Sequence, residues 1–236
     1  MTLPFSQTAD LRPLFEPAGV VVAGASSHPG KFGFAVLHNI ITCGYQGRVF
    51  ATNRNGGELL GVECLTSVAE VPAGQADLVY VCVPAAAVAQ VLREAASVGI
   101  RAAFIASSGF GEGQDEQGAA HGLELATLAS ELGMVIAGPN GQGLVSTPVS
   151  LCAQFVGPFP PAGGVSIVSQ SGNLASGAMN YATASGVGVA RAISAGNATC
   201  LGVDDYIAWL ADDPATTTIL AYLEGVADAR RFYDTV

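Results

Sequence analysis

Charge is what this sequence has least of. Only 12% of its 236 residues are charged, against about 25% in an average soluble protein, and Lys31 is the single lysine among nine basic side chains. Nineteen acidic residues leave a formal net charge of −10. Nucleic-acid binding needs clustered lysine and arginine facing phosphates, so a DNA- or RNA-binding role is excluded. Cysteine is also sparse: Cys43, Cys64, Cys82, Cys152 and Cys200 are odd in number and form no C-x-x-C pair. That removes the usual zinc and redox signatures, leaves no metal site expected, and fits a reducing, cytoplasmic setting. Cys82, inside the run Val79-Tyr80-Val81-Cys82-Val83, reads as a small core residue rather than a nucleophile. Long apolar runs are missing too. The longest, Val79 to Ala89, contains Pro84 and is too short to span a bilayer. Asp10 and Glu16 stand where a secretory leader would carry a basic start and an apolar stretch, so none is expected.

What is abundant is small and apolar: half the residues are hydrophobic and 30 are glycine, enough to build a core in one or two domains. Short β-branched runs alternate with segments of helical period, and the runs are almost continuously apolar, as strands buried on both faces are. This is the pattern of parallel βαβ units. Strands are expected near 19–24, 48–52, 77–83, 101–106 and 133–137, with helices near 33–43, 84–98 and 115–132 and a short one near 66–70. Together they predict an α/β fold whose first domain, 1–146, is a Rossmann-like doubly wound sheet. The cluster Gly157-Pro158-Phe159-Pro160-Pro161-Ala162-Gly163-Gly164 marks a connector over 147–164. Beyond it the alternation resumes in a second unit, 165–236. Strands are expected at 165–169, 188–193 and 217–223 and helices at 173–185 and 203–211. Three parallel strands would leave a long edge unpaired, so this second unit is expected to be incomplete.

Two strand-to-helix loops are suited to anions. The first runs from Gly24-Ala25-Ser26 through Pro29-Gly30-Lys31 to Gly33; such a turn points backbone N–H groups and a helix N-terminus at one place. It is not the dinucleotide fingerprint, because the second and third glycines of G-x-G-x-x-G fall on Ser26 and Pro29. The second strand ends in Asn53-Arg54-Asn55, where an NAD-binding domain would place an acidic residue for the ribose. Two of the rare cations at neighbouring strand ends, Lys31 and Arg54, point to a ligand with extra phosphate: NADP or coenzyme A. The other loop is Val168-Ser169-Gln170-Ser171-Gly172-Asn173, able to cap a helix or hold a phosphoryl group. It is no nucleophile elbow, since Ser169 and Asn173 occupy the glycine positions of G-x-S-x-G.

These segments come in a recognisable order. Phe15-Glu16-Pro17, the Gly24-to-Gly33 loop, Val83-Pro84-Ala85, Ser107-Ser108-Gly109-Phe110-Gly111-Glu112 and Gly138-Pro139-Asn140 with Gly143 are followed by Ser169-Gln170-Ser171-Gly172. After these come Gly196-Asn197, Leu210-Ala211-Asp212-Asp213-Pro214 and Tyr222-Leu223-Glu224-Gly225. Over almost the whole chain this set resembles the N-terminal part of the NDP-forming acyl-CoA synthetases, the ADP-forming acetate–CoA ligase group related to the succinyl-CoA synthetase α subunit. The resemblance implies a CoA-binding Rossmann-like domain followed by a flavodoxin-like ligase domain. It assigns CoA contacts to Gly24, Ser26, Lys31, Gly33, Asn53, Arg54, Val83, Pro84, Ser108, Gly109 and Asn140. It gives the phosphoryl-handling roles to Ser169, Ser171 and Gly172, with Glu224 orienting a phosphorylated histidine. The implied reaction joins a small carboxylic acid to CoA through an acyl phosphate, passing the phosphoryl group by way of that histidine to a nucleotide.

Departures from the family are as informative. The family's Ser-His-Thr-Gly-like stretch is absent, and His28, His38 and His121 match nothing catalytic. ATP or ADP and Mg2+ are therefore expected only on an ATP-grasp domain or β subunit, the expected partner in an oligomeric ligase, and the chain alone is expected to be inactive. Asn53-Arg54-Asn55 replaces an Asn-Pro stretch, and Ala198-Thr199-Cys200-Leu201 follows Gly196-Asn197 where acidic residues are usual. Gly141-Gln142 replaces Cys-Leu after Pro139-Asn140, a change expected to suit larger acyl groups. Two other readings are an NADP-dependent oxidoreductase or redox sensor and a noncatalytic CoA-binding module.

Overall fold

The computed structural model describes residues 9–113 and 116–236; residues 1–8 and the expected helix start at 115 lie outside that description. The first sheet has seven strands in the order β3-β4-β2-β1-β5-β6-β7. Its centre is β1 (Gly19–Ala23), β2 (Arg48–Thr52), β5 (Leu78–Val81), β6 (Ala102–Ile105) and β7 (Val135–Ala137), parallel throughout. β1, β5 and β6 are buried along their whole length, as their unbroken apolar sequences require. The helices α2 (Phe32–Thr42), α3 (Ala85–Ser97) and α4 (Glu116–Leu132) make the crossovers. Because the chain leaves β1 towards β2 but reaches β5 on the opposite side, the carboxyl ends of β1 and β5 form the switch point at which such sheets bind ligands.

Beyond the expected elements, a hairpin of β3 (Gly57–Leu59) and β4 (Val62–Leu65) extends this sheet past β2. It turns on Leu60 and Gly61, both at positive φ, the geometry of a tight two-residue hairpin. A one-turn helix, α1 (Arg12–Phe15), precedes β1.

The second sheet has the order β12-β10-β11-β8-β9. β10 (Ala162–Ser169), β11 (Val189–Ser194) and β12 (Thr218–Tyr222) are parallel, as expected. Residues read as the end of the first domain and the start of a connector instead form β8 (Gly143–Ser146) and β9 (Leu151–Gln154), which add antiparallel to β11. The sheet therefore has five strands rather than three, and β11 is not an edge. The helices here are α5 (Gly172–Ser185), α6 (Val203–Ala211) and α7 (Ala229–Thr235).

The two sheets share one core. Phe15, Val22, Leu37, Tyr80 and Phe104 pack in a continuous apolar cluster with Leu144, Leu151, Val168, Ile193 and Tyr206. β9 lies along α2, where the Asn39 amide donates to the Gln154 carbonyl at 2.8 Å. Arg191, in β11, is 1% exposed. Its guanidinium donates to Asp213 at 3.2 and 3.3 Å and to Ser146, Glu16 and the Phe15 carbonyl, and it sits 5.8 Å from the Trp209 ring. No helix among the described residues is long and apolar enough to cross a membrane.

Candidate functional site

The loops at the carboxyl ends of the strands in both sheets open on one cleft of about 1050 Å3. Of the residues assigned from sequence, Lys31, Val83, Pro84, Ser108 and Asn140 line it from the first sheet, and Ser171, Gly172 and Glu224 from the second. The cleft thus brings both anion loops together, although they are about 140 residues apart in the chain.

On the first sheet the expected residues divide into wall and frame. Lys31, the N-cap of α2, is exposed, lines the cleft and forms no ion pair among the described residues. Gly24 is frame: its φ is +85°, its N–H donates to the Thr52 carbonyl, and a Cβ there would stand 2.7 Å from the Cys82 carbonyl oxygen. Gly33 lets α2 approach the same turn, since a Cβ would lie 2.2 Å from the Gly24 carbonyl oxygen. Ser26 lies outside the cleft lining, its hydroxyl accepting the His28 N–H at 3.0 Å. Asn53 closes its own turn by accepting the N–H groups of Asn55 and Gly56. Arg54 is exposed and forms no ion pair among the described residues. Gly109, at φ +99°, donates its N–H to Glu112.

On the second sheet, Ser169 does not reach the cleft as expected. It is the last residue of β10, 1% exposed, and its hydroxyl donates to the Ser171 carbonyl at 2.7 Å, so it shapes the turn from beneath. Ser171 is the N-cap of α5 without a side-chain cap bond. Its hydroxyl and the first-turn N–H groups of α5 are available to an anion. Gly172 makes room for Gln142: a Cβ would lie 2.5 Å from that side chain, which would have to shift. The Glu224 backbone is held by the Gln170 side chain, whose amide oxygen accepts the Glu224 and Gly225 N–H groups and whose amide nitrogen donates to the Gly225 carbonyl.

Several cleft residues stood in segments read from the sequence without a role of their own. Glu112 accepts N–H groups from Gly109 and Phe110 and the Asn197 amide, while the Asn140 amide donates to Asn197. This chain of amides and a carboxylate joins the loops after β6, β7 and β11. Burial pushes the Glu112 carboxyl up, but the Gly109 and Phe110 N–H groups and the Asn197 amide outweigh it and hold the group below the usual carboxylate range. Gln142 bonds the Asn173 amide oxygen at 3.3 Å and accepts the Ser176 hydroxyl at 2.7 Å. Cys82 lines the cleft as well, but burial pushes its thiol up to about 12, so the nucleophilic thiolate is essentially absent at neutral pH. Amide side chains bond in many contexts, which is why only the assembled fold picks these out.

Comparison with known proteins bears on the same residues. Residues 19–147 match the model of a CoA binding domain, and 162–236 match that of a succinyl-CoA-ligase-like flavodoxin domain. The α subunit of an ADP-forming acetate–CoA ligase I from Pyrococcus furiosus is 38% identical over 228 residues, 95% of this chain and 49% of that protein. A trans-feruloyl-CoA synthase from an unknown prokaryotic organism is 36% identical over 224 residues, 93% of this chain and 31% of that one. Among solved structures, the dinucleotide-forming acetyl-coenzyme A synthetase 1 of Ca. Korarchaeum cryptofilum, in complex with phosphate and ADP, superposes with a TM-score of 0.89. That protein is 34% identical, and the match covers 96% of this chain and 48% of that one. The chain spans about half the length, or less, of these relatives.

Proposed function

Since the chain belongs to the CoA-binding family of NDP-forming acyl-CoA synthetases, of which the ADP-forming acetate–CoA ligases are members, we propose that its cleft binds CoA and a carboxylic acid for an acid–thiol ligase. One observation carries this reading: the lone lysine and the uncapped N-terminus of α5 face the same cleft from two different sheets. The residues fit CoA. Lys31 meets its phosphates from the cleft wall, Arg54, exposed beyond that lining after β2, is open to its nucleotide end, and the glycine frame around Gly24 and Gly33 lets a phosphate approach the backbone closely. Val83, Pro84, Ser108 and Asn140 border the path of the pantetheine arm. CoA supplies the thiol that accepts the acyl group.

The protein's own contribution is positional. Ser171 and the first-turn N–H groups of α5 hold a phosphoryl oxygen, where the helix dipole favours developing negative charge. Gly172 keeps Gln142 in contact with that turn. Glu224, fixed by Gln170, orients the histidine that carries the phosphoryl group. Nucleotide and Mg2+ handling belongs to an ATP-grasp portion or β subunit, in a cytoplasmic oligomer. We include in the proposal a division into a CoA-binding unit and a ligase-like unit, with the expected boundaries at 146 and 165 moved to Gly143, because β8 and β9 pair in the second sheet. Acetate and ferulate, named in the relatives, differ greatly in size, so the acid is best sought in the cleft wall.

The test is calorimetric titration of this chain with CoA, 3′-dephospho-CoA and NADP. CoA binds, and losing the 3′-phosphate or changing Lys31→Ala or Arg54→Ala weakens binding about tenfold, the order of one charge-assisted contact. Tight NADP binding with no response to CoA overturns the reading in favour of a redox protein.

A further inference from the structure

Two aromatic rings in the cleft wall take no part in the functions assigned so far. Phe32, the first residue of α2, and Phe155, just after β9, stack with centroids 3.9 Å apart and planes inclined by 13°. They come from different sheets, and both line the cleft. Phe32 is nevertheless 53% exposed, so much of a large apolar ring faces the cleft without protein covering it. An open stack can accept a further flat ring, because aromatic rings prefer offset-stacked neighbours.

The rings also stand close to the turn that handles phosphate. The Phe155 N–H donates to the Gln142 carbonyl at 3.2 Å. The Gln142 side chain in turn occupies the space against Gly172 and bonds Asn173 and Ser176. Gln142 therefore joins the Phe155 backbone to the first turns of α5. The rings and the α5 N-terminus line the same cleft, so an acid whose carboxylate sits at the N-terminus shares the cleft with the stack. A methyl substituent has no flat face to offer the rings, whereas a planar aromatic substituent has one and gains from stacking. The cleft volume of about 1050 Å3 lies at the upper end of ordinary ligand sites, leaving room for such an acid beside the CoA arm.

We propose that the Phe32–Phe155 stack is the acid-selecting wall, and that it favours an aromatic carboxylic acid over acetate. This rests on the ligase reading of the cleft and adds to it the class of the acid. The stack acts on the bound acid by packing alone; no proton or electron moves through it.

Saturation-transfer NMR on this chain with saturating CoA tests the idea, using cinnamate, 3-cyclohexylpropanoate and acetate as probes. Cinnamate binds about three- to tenfold tighter than the saturated ring acid of similar size, the range a ring–ring contact supports. Phe32→Leu keeps an apolar side chain at an exposed position and removes most of that preference. Phe155→Leu does the same, with a melting curve verifying that it folds. Equal affinity for the two ring acids, or a preference that survives both substitutions, overturns the proposal while leaving CoA binding intact. Absence of CoA binding in the parallel titration sinks the ligase reading itself, and the acid assignment with it.

Discussion

Strand β11 meets the first sheet's residues in two ways along its length. Near its start, Arg191 is shut away from water with every contact made: Asp213, Glu16, Ser146, the Phe15 carbonyl and the face of Trp209 surround it. Just past its end, Gly196 and Asn197 mesh with the Pro139-Asn140 loop through amides open to the cleft. One end is a buried clasp and the other an open edge of the site. The difference is a division of labour. Charge sealed in the interior fixes how the sheets sit, and neutral amides at the rim leave their remaining hydrogen-bonding capacity to a ligand.

The clasp gives the largest expected effect. Arg191→Ala leaves Asp213 buried without its partner, and breaking a buried pair from one side costs about 3–5 kcal/mol. Urea unfolding should show the midpoint falling accordingly. Because desolvation penalises the charges themselves, the double change Arg191→Met with Asp213→Leu should recover much of the loss. If Arg191→Ala unfolds like the wild type, the clasp is ornamental and the shared apolar core alone holds the sheets. Acid should weaken the same contact. Burial raises the Asp213 carboxyl, but the Arg191 and Thr216 hydrogen bonds win and hold it below its ordinary value. A depressed carboxyl stabilises above its unfolded titration range, and that stabilisation is lost as pH falls through the folded value.

The clasp also marks where the sequence was readable. Phe15-Glu16 and Asp212-Asp213-Pro214 were visible as family segments, and the fold shows why they belong together: both bind Arg191, a residue with no local signature. β1, β5 and β6 were legible because strands buried on both faces are unbroken apolar runs. The two hairpins were not. β3 and β4 are three and four residues long, partly exposed, and turn on Leu60-Gly61 rather than Asn-Gly or Asp-Gly. β8 and β9 are four residues each, joined through Thr147-Pro148-Val149 without glycine. In the site, Gly24 and Gly33 were readable from the turn they must form, and Lys31 from the scarcity of cations. Gln142 and Asn197 stood in segments read from the sequence, but their bonding roles, like the aromatic stack, depend on contacts between sheets that no local pattern encodes.

At the cleft end, the next effect is steric. Gly172→Ala puts a methyl group 2.5 Å from the Gln142 side chain, closer than real carbon contacts allow, and overpacking of this kind costs about 1–3 kcal/mol. The obstacle is a side chain rather than backbone, so Gln142→Ala should relieve it. A double-mutant cycle should give a coupling of about 0.5–3 kcal/mol between positions 142 and 172. Independent effects would mean that Gln142 does not support the phosphoryl turn.

The smallest effect belongs to the rim, and it is read by exchange rather than by stability. Glu112 is exposed, but its carboxylate holds the Gly109 and Phe110 N–H groups and the Asn197 amide. With its titration held below the usual carboxylate range, the bridge persists at neutral and mildly acidic pH. It is released as pH falls through that depressed value, because the protonated group loses acceptor strength. NMR of the labelled carboxyl should place its midpoint below that of a free glutamate. In Glu112→Ala, hydrogen exchange at Gly109 and Phe110 should quicken about tenfold at neutral pH, while Arg191 and its neighbours in β11 stay protected. Local opening of this kind is the mark of a low-stability functional edge. If β11 loosened in step with Gly109, the rim and the clasp would be one cooperative unit and the two ends of the strand would not differ in kind.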